Sequence, residues 1–118
     1  MRDRRAAELS GRDGETRAAW FLRATGWRIL DQRVRTPAGE VDLVARRGKL
    51  IAFVEVKTRR RAAELDYAID EYRLARVAAA AEILAPRYLQ DGDDMRIDVV
   101  LIAPRTWPRH IENVWMGS

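Results

Sequence analysis

The stretch Gly39–Arg59, GEVDLVARRGKLIAFVEVKTR, decides the fold. It reads as two apolar strands around a tight turn: Val41, Leu43, Val44 and Ala45, then Arg47-Gly48, then Leu50 to Val56. Strands this apolar are buried on both faces as a rule. Yet Glu40, Asp42, Glu55 and Lys57 lie inside them or at their ends. A buried carboxylate costs several kcal/mol unless it is paired or metal-bound, so three acids here point to a use.

Strand parity places them. Side chains alternate along a strand, so Glu40 and Asp42 share a face, as do Phe53, Glu55 and Lys57. With Arg47-Gly48 as a two-residue turn, Asp42 faces Phe53 and Glu55 is its diagonal neighbour, roughly 7–8 Å away. Two carboxylates at that separation can share a hard divalent cation, with Lys57 beside them. A slip of one residue would send Glu55 to the other face.

Asp, a spacer, then Glu-x-Lys on the next strand resembles the PD-(D/E)xK nuclease signature. The longer pair of blocks, GEVDLVA and FVEVKTR, resembles the YraN family of small bacterial proteins, related to archaeal Holliday-junction resolvases. The resemblance implies a restriction-endonuclease-like fold and a Mg²⁺- or Mn²⁺-dependent endonuclease acting on DNA, branched DNA included. On that reading Asp42 and Glu55 are metal ligands, joined by the Val56 carbonyl and by Glu15, while Lys57 orients the attacking water or stabilises developing charge. Glu15 enters because the fold commonly supplies a carboxylate from its first helix, and YraN-like sequences carry a Gly-x-x-Gly/Ala-Glu pattern there. The plainer reading of Glu15 is a first-turn acid complementing the helix dipole. The chain departs from the family pattern at two places, with Arg33 where asparagine is usual and Arg73 where lysine is usual. Phosphate contact survives either change.

Composition sets the outer bounds. At 118 residues, 47% hydrophobic, the chain has the size of one domain, 1–118, with residues 1–10 expected as a flexible tail. It has no cysteine, which excludes disulfides and thiolate chemistry, and one histidine, His110. No apolar run approaches the ~20 residues that span a bilayer, and the first residues carry no hydrophobic region, so a cytoplasmic protein without membrane contact is expected. A homodimer is left open.

Net charge is +4, unevenly spread. Between Arg46 and Arg61 stand seven basic residues and one acid. Arg46, Arg47, Lys49, Arg59, Arg60 and Arg61 are therefore candidate phosphate contacts, with Arg33 and Arg73; the plainer reading is a solvated face. Lys57 is one of two lysines against 20 arginines. A buried lysine can be tuned for proton transfer, and arginine cannot.

The flanks complete the pattern. A helix is expected from the Ser10–Gly14 loop, with Ser10 or Asp13 as cap, to Ala24 or Thr25 with Gly26 as its stop, burying Ala18, Ala19 and Leu22. Trp27–Arg35 reads as a strand, with Trp27, Ile29 and Val34 inward. Residues 66–90 read as a helix with Ile69, Tyr72, Val77, Ala80, Ile83 and Leu84 inward and a kink or restart at Pro86. Asp91–Asp94 reads as a solvated acidic turn. Met95–Ile102 reads as a strand in which Asp98 pairs an arginine and supports the fold, as Glu40 supports the site; Ile111–Trp115 reads as a last edge strand. The order α-β-β-β-α-β, with a crossover helix before a parallel strand, gives an α/β fold with a mixed β-sheet flanked by helices.

Overall fold

The computed structural model describes residues 4–60 and 70–115, with side chains from residue 13 onward. Helix α1 (Arg4–Ala24) precedes strands β1 (Arg28–Thr36), β2 (Gly39–Arg47) and β3 (Leu50–Thr58). Helix α2 (Glu71–Tyr88), strand β4 (Asp94–Ile102) and the short β5 (Arg109–Ile111) follow. The five strands form one mixed sheet in the order β1-β2-β3-β4-β5, with β3 and β4 parallel and every other pair antiparallel. Among the described residues no helix is long and apolar enough to cross a membrane.

Strand alternation sorts the central residues onto two cores. Ile51 and Phe53 pack with Leu74, Val77 and Leu84 of α2, whereas Ala52 and Val54 pack with Ala18 and Leu22 of α1. Each fully buried Leu, Ile or Phe contributes roughly 1.5–3 kcal/mol, so both layers hold the sheet. The α1 layer is built from small residues where the helix crosses, Ala45 and Ala52 on the sheet and Ala18 and Ala19 on the helix.

Helix α1 starts at Arg4, upstream of the expected caps, and takes in most of the stretch expected as a tail. Gly14, which reads as a breaker, lies inside it for a tertiary reason: a Cβ there would overlap the Thr58 methyl at the end of β3. The helix closes at Gly26, whose φ of 99° suits the left-handed stop, with the Trp27 amide donating to the Leu22 carbonyl at 2.9 Å.

Helix α2 is capped by Asp70, whose side chain accepts from the Arg73 amide at 3.1 Å. It continues through Pro86 to Tyr88 as one element, because a proline in the last turn withdraws only one late hydrogen bond. The expected apolar stripe is corrected at two positions: Tyr72 is 74% exposed and Ile83 is 50% exposed. The buried face is Leu74, Val77, Ala78, Ala80, Ala81 and Leu84 instead. Ile69 lies outside the described residues. The last strand is Arg109–Ile111, earlier and shorter than expected.

The β2–β3 turn is Gly48-Lys49, with Arg47 opposite Leu50. This corrects the expected turn by one position and the register by two, from Asp42 facing Phe53 to Val44 facing Phe53. A shift of two preserves parity, so Glu55 and Lys57 keep the face of Phe53; in β2 the alternation breaks beside Asp42, with Val41 in the α2 core and Leu43 in the α1 core.

Candidate metal and nucleic-acid site

An open cavity of about 390 Å³ lies where β2 and β3 leave the hairpin pairing and the start of α2 crosses them. Four acids line it: Glu15 from α1, Glu40 and Asp42 from β2, and Glu55 from β3. Thr58, Arg73 and Arg76 complete the polar part of the wall, and Val56 and Val77 line it as well. The sheet supplies this arrangement through the end of the β2–β3 ladder, whose last paired residues are Leu43 and Val54. Beyond that point the Asp42 carboxylate takes over from the backbone, accepting a hydrogen bond from the Val56 amide at 2.8 Å.

Burial pushes the Asp42 carboxyl up to about 6, against the lowering effect of the Val56 amide and with further upward pressure from Glu15, Glu55 and Glu40. Glu55 is 8% exposed. Its Oε1 lies 3.3 Å from Lys57 Nζ and 3.7 Å from the Arg73 guanidinium. Its Oε2 is buried with no hydrogen-bond partner. A buried carboxylate oxygen without a partner is costly, so Glu55 Oε2 and the Asp42 carboxylate, which has no cationic partner among the described residues, leave acceptor capacity unused beside the cavity. Those unused acceptors are of the oxygen type that Mg²⁺ and Mn²⁺ take, usually one or two carboxylates with waters. Among the described residues no three acidic or histidine side chains converge as ready-made metal ligands.

The other expected site residues divide into groups. Glu15 lines the cavity, but its Oε1 is held by Arg33 at 2.5 Å. Arg33 itself adopts a φ of 52°, which turns its side chain out of the strand alternation and toward α1. Glu40 lies at the mouth and pairs with the exposed Arg35 at 3.5 Å. Arg73 lies beside Glu55, and Arg76, one turn further along α2, joins it in the wall. Arg76 was missed by the sequence reading; its three-residue spacing from Arg73 is the signal that places both on one side of α2.

The basic run is split between the two ends of the sheet. Arg59 and Arg60 follow β3 at the cavity end. Arg46 and Arg47 lie four and five residues along β2 from Asp42, roughly 13–17 Å away, with Lys49 further on in the turn, and so they are not beside the carboxylates. Arg46 is corrected to a structural role: its guanidinium pairs with Asp93 at 2.6 Å and reaches the Tyr88 carbonyl. Arg47 lies over the Trp27 ring at 4.5 Å. Lys49 is exposed at the turn. Arg61 lies outside the described residues. The expected solvated acidic turn holds at Asp91 and Asp94, which are exposed, and is corrected at Asp93, whose side chain is only 3% exposed. The Arg46 guanidinium, with the Gln90 amide, holds the Asp93 carboxyl below its ordinary range.

Asp98 is fully buried on β4. It pairs with Arg96 at 2.9 Å, meets His110 Nε2 at 2.7 Å and accepts the Asn113 amide at 2.9 Å. Burial alone would raise it, yet His110, Asn113 and Arg96 together hold it below the usual carboxylate range. His110 thus has a structural partner that the sequence reading did not find.

Comparison with known proteins agrees with this geometry at the level of fold and family. The Holliday junction resolvase Hjc of Archaeoglobus fulgidus superposes with a TM-score of 0.58 at 20% identity, over 83% of this chain and 72% of that one. At that identity the likeness shows the fold, a restriction-endonuclease-like α/β architecture. A UPF0102 protein of Erythrobacter litoralis is 70% identical over 112 residues, covering 95% of this chain and 97% of its own length. Another from Rhizorhabdus wittichii is 61% identical over the whole of both chains. The profile of uncharacterised protein family UPF0102, the YraN family, matches residues 14–102. From Gly14 beside Thr58, through both carboxylate-bearing strands, to the end of β4, the chain is a member of family UPF0102.

Proposed function

We propose that the protein is a metal-dependent endonuclease that hydrolyses phosphodiester bonds in structured DNA at the Asp42–Glu55 cavity. The observation that carries this reading is the buried, unpartnered Glu55 Oε2 in a wall shared with Asp42. Asp42, Glu55 and the Val56 carbonyl would hold Mg²⁺ or Mn²⁺, with Glu15 reached through water. When bound, the ion would supply Lewis-acid stabilisation of the charge developing on the phosphate and would favour ionisation of an attacking water. The chain's own residues do the rest. Lys57, already against Glu55, donates to the attacking water or to the developing charge. Arg73 and Arg76 on α2, with Arg59 and Arg60 beyond β3, hold the flanking phosphates. The fold shared with a Holliday junction resolvase raises branched DNA as a substrate by analogy of fold.

The second reading is a nucleic-acid-binding or assembly module that keeps the fold without the catalysis. It is favoured by the ion pairs that already neutralise Glu55 and by the Arg33 pair that holds Glu15. Incubation with labelled duplex, single-stranded and four-way-junction DNA, with and without Mg²⁺ or Mn²⁺, separates the two. Cleavage that requires the metal and disappears in Glu55→Gln supports the nuclease. Salt-sensitive binding without cleavage supports the module.

A further inference from the structure

The β4–β5 connection carries a tryptophan that lies outside both cores formed by the described residues. Trp107 is 84% exposed, whereas Trp27 is buried at 3% and Trp20, though 65% exposed, has the Arg23 guanidinium over its ring at 5.4 Å. The loop around Trp107 is short and constrained. Pro104 and Pro108 bracket it, and Arg105 adopts a φ of 63°, a conformation unusual for a side chain of that size. Exposed Arg105 and Arg109 flank the indole, and no acid occurs between Ala103 and His110.

The sheet fixes where this loop lies. Lys57 is opposite Leu101 in the parallel β3–β4 ladder, and Leu101 is opposite Arg109 in the β4–β5 ladder. Arg109 is therefore two strands from Lys57, roughly 10 Å. The Arg59 amide donates to the Ile102 carbonyl at 2.7 Å, which ties the basic end of β3 to the start of the Trp107 loop. Arg59, Arg60, Arg105 and Arg109 thus rim the same end of the sheet as Glu55 and Lys57, with one bare indole among them.

We propose that Trp107 stacks on an unpaired base of DNA whose backbone is held by this arginine rim, and so directs the cavity to DNA with unpaired or unstacked nucleotides. The proposal rests on the reading of the cavity as a DNA-cleaving site and adds the feature of the substrate that is recognised. An indole face needs a π-face to cover it, and in a continuous duplex the base faces are occupied by their neighbours. Gaps, forks and branch points present free base faces beside charged backbone, matching an aromatic flanked by arginines. The two prolines restrict the loop before binding, which reduces the ordering cost of presenting the indole.

The test uses the full chain without metal, in chelator, and fluorescence anisotropy of two labelled DNAs: a blunt duplex and the same duplex with a short unpaired gap. Trp107→Ala should weaken binding of the gapped DNA by roughly 5- to 150-fold, the range for removal of one stacking aromatic. Binding of the blunt duplex should stay within about twofold of wild type, as expected where phosphate contacts dominate. Trp107→Phe should recover most of the gapped-DNA affinity. Equal losses on both DNAs, no loss on either, or a Phe variant no better than Ala would overturn the proposal, and no loss on either would leave the indole to a protein partner. A parallel Mn²⁺-dependent cleavage assay keeps the two readings apart. Cleavage by wild type with no Trp107 discrimination overturns the stacking surface alone. Trp107 discrimination with no cleavage supports the stacking surface and removes the nuclease.

Discussion

The Asp42 carboxylate accepts a hydrogen bond from the Val56 amide at 2.8 Å, across two strands that have stopped pairing through their backbones. This bond holds the acid of one strand against the segment of the next that carries Glu55. It also explains how a partly buried carboxylate with no ion-pair partner among the described residues is kept in place.

Asp42 should make the metal-free protein sensitive to pH. Its folded-state carboxyl is raised from 3.8 to about 6, so the folded protein holds the proton more tightly than the unfolded chain does. The associated stability is fully present below pH about 4 and is lost as pH rises through about 6. Asp42→Asn has no such loss. In chelator, the stability difference between Asp42→Asn and wild type should grow from near zero at pH about 4 to about 3 kcal/mol in favour of the variant at pH about 7. Urea melts across that range check it, and a difference independent of pH would show that Asp42 is not strained by burial.

The split of the basic run predicts two different phenotypes. Neutralising Arg59 and Arg60 with glutamine should flatten the dependence of DNA affinity on salt, the slope falling by about one for each phosphate that is no longer neutralised. Arg46→Gln should leave that slope unchanged and lower the melting temperature, because it strips Asp93 of its partner. Binding isotherms at several salt concentrations, with a thermal melt of each variant, distinguish them.

Gly14 should behave as a close-approach glycine. Alanine gains about 1 kcal/mol in helix propensity, but its Cβ would collide with the Thr58 methyl, and overpacking costs about 1–3 kcal/mol. Gly14→Ala should therefore be neutral to destabilising alone and stabilising in a Thr58→Ala background. The double-mutant cycle reads the coupling directly.

Much of this was legible in the sequence because parity tolerates errors. Placing the turn at Arg47-Gly48 instead of Gly48-Lys49 moved the register by two and left Glu55 and Lys57 on the face they occupy. The phase of α2 was harder, because alanines at 75 and 78–81 are compatible with several apolar stripes, and Tyr72 and Ile83 fell on the exposed side. The fate of Arg46 was not legible at all. Its partner Asp93 is 47 residues away, and a run of basic residues does not reveal which of them the fold will consume. The start of α1 failed for a related reason: Gly14 signals a break locally and serves a close approach to β3.

Asp98 should be a stability residue without a part in DNA or metal binding. Asp98→Asn leaves Arg96 and His110 around a neutral group in a fully buried position. Breaking a buried pair costs about 3–5 kcal/mol. A steep fall in melting temperature with unchanged Mn²⁺ response and DNA affinity is the expected outcome; retained stability with lost DNA affinity would reassign the residue to the site.

The central claim, that Asp42 and Glu55 form a divalent-cation site, is tested most directly by thermal melts of wild type and Glu55→Gln with and without Mn²⁺. Glu55→Gln keeps the shape of the side chain and removes the charge, whatever its effect on the metal-free fold through Lys57. Wild type should be stabilised by Mn²⁺, by about 2.7 kcal/mol at a hundredfold excess over Kd, a rise of several degrees, and Glu55→Gln should show no such rise. A wild-type melting temperature that Mn²⁺ leaves unmoved, or an equal rise in both proteins, would contradict the claim and leave Glu55, Lys57 and Arg73 as a structural ion-pair network.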